Sequence, residues 1–216
     1  MPDSFVSSRS LVFRSHLLTK LAAALVTVVG LMVLIGWIAD IDHFKSVYGP
    51  ITMKVNSAIA LILGGVSLFG LTTTHKQLNV LSQICAGFIA LIGLATLSEH
   101  LIGWNLGIDE LLFRESPGAV ATSSPGRMGI TASTCFVLFG TSLLILQRGR
   151  GVSLAQGLTL IGGLWVMLTL VGYAYQAEQL YAIAQYTGIA LHTALSFFLS
   201  CMLSNYITSN GVITPQ

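Results

Sequence analysis

Charged side chains are nearly missing from this 216-residue chain: only 8% of residues are Asp, Glu, Lys or Arg, against about a quarter in soluble domains. That scarcity excludes a water-soluble globular domain and, with it, a catalytic domain of ordinary size. Cysteine is equally thin. Cys85, Cys135 and Cys201 all fall inside apolar runs, with no CxxC or metal-ligand spacing, and read as small packing residues. No nucleophile elbow, Walker loop, HExxH pair, dinucleotide fingerprint or nucleic-acid motif is present. The expectation is a chain with no catalysis of its own, no resident metal and no nucleic-acid partner.

What the chain does have is long apolar runs, in a composition that is 54% hydrophobic. Crossing the hydrocarbon of a bilayer takes about 20 apolar residues as a helix. Six runs qualify: Leu17 to Ile38, Ile51 to Thr73, Val80 to Ile102, Met128 to Gln147, Ser153 to Tyr175, and Ile189 to Thr208. Lipid supplies no hydrogen bonds, so each run must form helix whatever its glycine and β-branched content. The first run is too long for a cleaved signal and reads as a retained helix. The predicted fold class is therefore all-α integral membrane, with a polar tail over 1–16, a six-helix membrane domain over 17–208 and a second tail over 209–216.

Alternate loops differ in charge. One side carries Arg9, Arg14, Lys20, Lys76, Arg148 and Arg150 with Asp3 as its only acid. The other carries Lys45, Lys54, Arg114 and Arg127 against seven acids, Asp40, Asp42, Glu99, Asp109, Glu110, Glu115 and Glu178. The positive-inside rule then places both termini in the cytoplasm of a bacterial inner membrane and the three longer connections on the periplasmic side. The two short basic connections predict antiparallel neighbours.

The chain also repeats. Gly36-Trp37, Gly103-Trp104 and Gly172-Tyr173 recur at nearly equal intervals, each followed by an acidic, partly apolar loop. Three similar segments open the even runs: Met53 to Ala58, Met128 to Ser133, and Ile189 to Ala194. The spacing from glycine to segment is the same in the first and third copies. In the second it is longer by eight, which implies an eight-residue insertion, most simply within SPGAVATSSPG. Three helix-loop-helix units over about 17–73, 80–147 and 153–208 follow. Their alignment superposes Asn56, Thr131 and His192 about one turn inside the even helices. His192, Ser196, Ser200 and Ser204 share one face of the last helix, as small and hydroxylated residues do where membrane helices bond to one another.

Ionisable groups in or beside spans are functional candidates because they are costly there. Here they are Lys54, Glu99, His100, Arg127 and His192, all close to the predicted periplasmic boundary. With Asn56, Trp104 and Asp109 they form a candidate layer that could bind a small anionic or zwitterionic ligand, report pH through histidine, or hold a metal. The competing arrangement is an ion-pair network that ties loops to helix ends. A haem held by His100 and His192 is a further alternative, since paired imidazoles on facing helices ligate iron in membrane b-type cytochromes.

The segments GWIADIDHFKSVYGPITMKVNSAIALILGG, LATLSEHLIGWNLGIDELLF, SPGRMGITASTCFVLFG and YTGIALHTALSFFLSCMLSN resemble the membrane-embedded input module found ahead of PAS, histidine kinase and diguanylate cyclase domains in bacterial signalling proteins. The resemblance covers about residues 15–208. It implies a periplasm-facing sensory or ligand-binding module, in contact with the bilayer, with an unknown small ligand and a possible homodimer. The alternative function is a small transporter or channel subunit. Relatives often carry proline where Val55 and Ile130 stand, so the starts of the second and fourth spans are expected to be straighter here. Relatives also continue into a cytoplasmic output domain beyond the sixth helix, whereas this sequence ends at TSNGVITPQ, as a stand-alone version, a truncated product or a fragment would.

Overall fold

A computed structural model describes residues 3–115, 120, 122, 124–149, 151–177 and 188–209. The described residues form α1 (Asp3–Ile38), the single turn α2 (Asp42–Lys45), α3 (Val55–Gly70), α4 (Lys76–Ile102), α5 (Ile130–Gln147), α6 (Val152–Ala174) and α7 (Leu191–Ser209), with no strand among them. Most of the insertion SPGAVATSSPG, most of the third long connection and the tail from 210 lie outside the described residues.

The helices close into a ring of three hairpins. Within each hairpin α1 packs on α3, α4 on α5, and α6 on α7; between hairpins α3 meets α4, α5 meets α6, and α1 meets α7. The central helices α3, α5 and α7 touch one another, while α1, α4 and α6 surround them. The peripheral helices are inverted relative to helices in water. On α1, Ala22, Ala23 and Val26 are buried while Leu17, Leu21, Leu25 and Leu31 are exposed; on α6, Gly162 and Gly163 are buried while Leu160, Ile161, Leu164 and Leu168 are exposed. Lipid is as apolar as leucine, so helices associate through small residues and leave large ones to the acyl chains. This is a membrane protein.

Among the described residues four helices are long and apolar enough to cross a bilayer: α1 from Phe13, α4, α5 and α6. The six predicted runs therefore become, among the described residues, four candidate spans and two central helices that differ from expectation. α3 begins at Val55 and ends at Gly70, because residues 51–54 are extended and tied to the preceding loop, with Met53 N–H donating to Lys45 O at 2.8 Å. Its 16 residues reach only about 24 Å. α7 has 19 residues but is more polar. Both are flanked by the peripheral helices, although Phe69 of α3 and Leu195, Met202 and Tyr206 of α7 remain exposed. At the other terminus, the expected tail is partly helical, since α1 starts at Asp3.

Val55 and Ile130 do not straighten anything. Lys54 and Gly129 are extended at their helix N-caps, with ψ 155 and ψ 159, so Val55 and Ile130 are the first helical residues. That is the position where proline costs nothing, because its missing N–H would have no helical partner. The serine face of α7 is buried, as close helix approach requires, but its hydrogen bonds do not cross: Ser200 donates back to Ser196 O at 2.7 Å on its own helix, while the bonds to α6 run from Asn205 Nδ2 to Thr159 Oγ1 at 2.8 Å and from Gln156 Nε2 to Thr208 Oγ1 at 2.9 Å.

Candidate functional site

The repeat has a physical basis at the end of the bundle that carries the long connections. Trp37 Nε1 donates to Met53 O at 2.9 Å, Tyr173 Oη donates to Ile189 O at 2.7 Å, and His100 Nε2 bonds Met128 O at 2.9 Å. A carbonyl can only accept, so His100 carries its proton on Nε2. In each unit a ring from the peripheral helix thus anchors the extended residue that precedes the central helix. Met53, Met128 and Ile189 are all buried at these anchors.

This corrects the alignment by Gly-aromatic pairs. Gly30 lies against Ala58 O and Gly93 against Ser133 O; Gly65 lies against Ala23 O and Gly140 against Ala86 O. Helix packing therefore repeats between the first two units in the register that matches Gly30 with Gly93. That register falls four positions short of the one matching Trp37 with Trp104, and it pairs Trp37 with His100 instead. The chain reversals agree. Asp40, Gly103 and Gln176 occupy equivalent places and all have positive φ, at 53, 79 and 53. Gly103 corresponds to Asp40, the left-handed residue after the helix, and not to Gly36. Ring to carbonyl spans 16 residues in units one and three and 28 in unit two, so the second loop is twelve residues longer rather than eight. Trp104 falls outside the layer: it is 48% exposed and donates to Ser98 Oγ at 3.1 Å. Asn56, Thr131 and His192 do share a position, the second residue of each central helix, in its first turn rather than one turn inside.

In the corrected register Glu99 occupies the place of Gly36 and Gly172. A Cβ at Gly36 would meet Phe44 and the backbone of Lys45, so in unit one the short loop folds tightly over the helix end. Unit two places a carboxylate there instead and folds its longer loop around it. Glu99 Oε1 accepts from Leu106 N–H at 2.7 Å and faces Arg127 Nη2 at 3.5 Å; Arg127 Nε donates to Asp109 Oδ2 at 2.7 Å. Lys54 Nζ holds both oxygens of Glu115 at 2.5 and 2.7 Å, and Glu115 Oε2 also accepts from Gly126 N–H at 2.8 Å. Asn56 Nδ2 donates to Ile108 O at 3.1 Å. The loop after α4 is thereby clasped to the starts of α3 and α5. Gly126 has φ 72 and lies directly on Asp109 O, where a side chain would not fit.

The structure thus brings together Lys54, Asn56, Glu99, Asp109 and Arg127, all candidates from sequence, and adds Glu115, whose only signal is its charge in an apolar loop. His192 stands apart from the clasp, buried with neither ring nitrogen hydrogen-bonded. His100 Nε2 is a donor to Met128 O, which leaves that nitrogen with no lone pair for a haem iron. Among the described residues no group of three His, Cys, Asp or Glu is placed to hold a metal.

Unit one builds a smaller clasp. Lys45 pairs with Asp40 and Asp42 and stands 5.1 Å from the Trp37 ring centre. The hydrogen bond from Lys45 holds the Asp40 carboxyl below the usual range. Where the three units converge, a cleft with room for about one water molecule is lined by equivalent positions: Met53, Met128 and Ile189, with Ser57, Ala132 and Thr193 below them.

The ring anchors give a direct test of the register. Tyr173→Phe leaves a buried carbonyl without its donor and is expected to cost about 1–2 kcal/mol in detergent unfolding. Trp104→Phe, at the position the sequence alignment favours, should stay within about 0.5 kcal/mol. Equal losses in both would reject the corrected register.

No protein-family model matches the chain, and no solved structure matches it. A curated relative, NADH-quinone oxidoreductase subunit N of Ectopseudomonas mendocina (strain ymp), is 27% identical over 158 residues, which is 63% of this chain and 31% of the relative. The chain spans about a third of the length of that relative.

Proposed function

We propose that the chain is a non-catalytic input module of a bacterial signalling protein, which receives its stimulus at the long-connection end and passes it through the central helices. The observation that supports this is the clasp. Lys54 and Arg127 stand at the starts of α3 and α5, and both are held by carboxylates of one loop. Anything that displaces that loop therefore shifts two helices that run to the opposite end of the bundle. Basic residues in the short connections support placing that opposite end in the cytoplasm.

A second reading, a membrane subunit of a larger transport or electron-transfer assembly, is supported by the similarity to subunit N. The comparison with known proteins favours this second reading over the first; the chemistry of the central helices favours the first. α3, α5 and α7 contain no Asp, Glu, Lys or Arg, whereas transport sites are built near mid-depth from such groups or from broken helices.

One pair of experiments separates the readings. With the chain joined to a cytoplasmic kinase, Glu99→Ala, His100→Ala and His192→Ala are each assayed for basal and stimulated output. A change of severalfold in at least one is expected; unchanged output in all three rejects the input role. In liposomes the chain alone is expected to give no ion or substrate flux, and flux above empty vesicles would establish the second reading.

A further inference from the structure

The clasp contains three carboxylates, Glu99, Asp109 and Glu115, and only two cations, Lys54 and Arg127. Glu115 and Lys54 close on each other. That leaves Glu99 and Asp109 on the single guanidinium of Arg127, with the three residues 1%, 6% and 8% exposed. Each carboxylate turns one oxygen to Arg127. The other two, Glu99 Oε2 and Asp109 Oδ1, are buried without any hydrogen-bond partner. A buried acceptor without a donor is costly, and two negative carboxylates side by side are more so.

We propose that Glu99 and Asp109 form a proton-binding pair, in which one proton taken from solution at the long-connection end is shared by the two carboxyl groups while Arg127 neutralises the remaining charge. One proton resolves both difficulties. It turns one of the two orphaned oxygens into a donor, with the adjoining carboxylate available as acceptor, and it brings the cluster of two carboxyls and one guanidinium from a net charge of minus one to zero. The balance is simple: the proton comes from water, enters one carboxylate and leaves by the same route.

Among the described residues no other cation faces the pair. From α5 there is Arg127 itself; from α3 there is Lys54, already held by both oxygens of Glu115. On α4 the neighbouring His100 is bonded to Met128 O, and in the loop Glu110 accepts from Glu115 N–H. Burial above all, and the adjoining Glu99, push the Asp109 carboxyl up to about 6 in spite of the hydrogen bond from Arg127. Only unit two has this pair, because units one and three carry Gly36 and Gly172 where Glu99 stands.

Proton binding by this pair is independent of the signalling role. It is tested on the purified full chain in lipid nanodiscs by infrared difference spectroscopy during acidification, with isotope-labelled aspartate to identify the band. The expected result is an aspartic acid carbonyl band that grows in with a midpoint near pH 6. Asp109→Asn should abolish it, and Glu99→Gln should move its midpoint to lower pH. No labelled band near that pH in the wild-type protein overturns the proposal, even if both variants fail to fold. A band whose midpoint is unmoved in a folded Glu99→Gln protein also overturns it, since the proton would then belong to Asp109 alone. A normal titration combined with kinase output unchanged in the Glu99→Ala, His100→Ala and His192→Ala proteins would reject the input role and leave the proton-binding pair standing.

Discussion

Replacing Arg127 with methionine is expected to destabilise the protein by about 3–5 kcal/mol at neutral pH, because it strands two buried carboxylates without a counter-charge. The effect should be read as a lowered midpoint in chemical unfolding followed by circular dichroism. Two controls identify its cause. The triple variant Arg127→Met, Glu99→Gln, Asp109→Asn removes all three charges together and should recover most of the loss, whereas a purely steric role for Arg127 predicts no recovery. Acidification should do the same in part. The folded-state value for Asp109, about 6, lies above its ordinary value of 3.8. Between those values the folded protein retains a proton that the unfolded chain releases. Stability therefore rises as pH falls through about 6 toward 4, and this contribution is lost as pH rises through the same window. In Arg127→Met the window should extend to higher pH, since the guanidinium no longer favours the charged form. A flat profile in both proteins would show that Asp109 is charged throughout.

Alanine at both Gly93 and Gly140 is expected to separate α4 from α5, with a loss near the upper end of the roughly 1–3 kcal/mol that overpacking costs. A Cβ at Gly93 would lie 2.7 Å from Ser133 O and 2.8 Å from Val137 N; one at Gly140 would lie 2.6 Å from Ala90 N and 2.9 Å from Ala86 O. These neighbours are backbone atoms of facing helices and cannot turn aside. The two glycines lie along the same helix pair, so their effects should not add, because a helix already displaced by one methyl accommodates the second more readily. Gly163→Ala is the contrasting case. Its nearest neighbour is Cys201 Cβ at 3.4 Å, an ordinary contact, and thermal unfolding should change little. A loss at Gly163 as large as at Gly140 would show that the third hairpin packs as closely as the second.

The motif halves GIDELLF and PGRM illustrate how much function-bearing structure is legible in a sequence. Their charges, their placement at a span boundary and the pairing of an acidic with a basic half can all be read directly. Their joining cannot. Asp109 meets Arg127, Gly126 passes over Asp109 O, and Glu115 reaches both Gly126 and Lys54, a residue 61 positions away. Nothing in local spacing distinguishes Glu115, which is held by Lys54, from Glu110, which is not.

The repeat shows the same division. Recurrence of Met53, Met128 and Ile189 is visible because each opens a similar segment two residues before a central helix. Trp104 misleads as the middle landmark because glycine can serve two purposes at a helix end. Gly36 lets a loop pack over the helix, while Gly103 supplies a left-handed turn four residues later in the repeat. The facing contacts of Gly30 and Gly93, the ring anchors and the positive-φ reversals together distinguish the two.

By itself the sequence determined the environment and the secondary structure: lipid requires internal hydrogen bonding, so long apolar runs with few charges must be membrane helices, and charge collects at their ends. Tertiary structure decided which helices are central, how the three units align and which carboxylates share a cation. Those outcomes depend on contacts between residues far apart in the chain, where one missing Cβ or one loop lengthened by twelve residues changes the partner. The ionisable groups at the long-connection end, conspicuous in the sequence as a layer, are in the folded protein two distinct objects: a closed lysine–glutamate bond and a carboxyl pair one charge short of neutral.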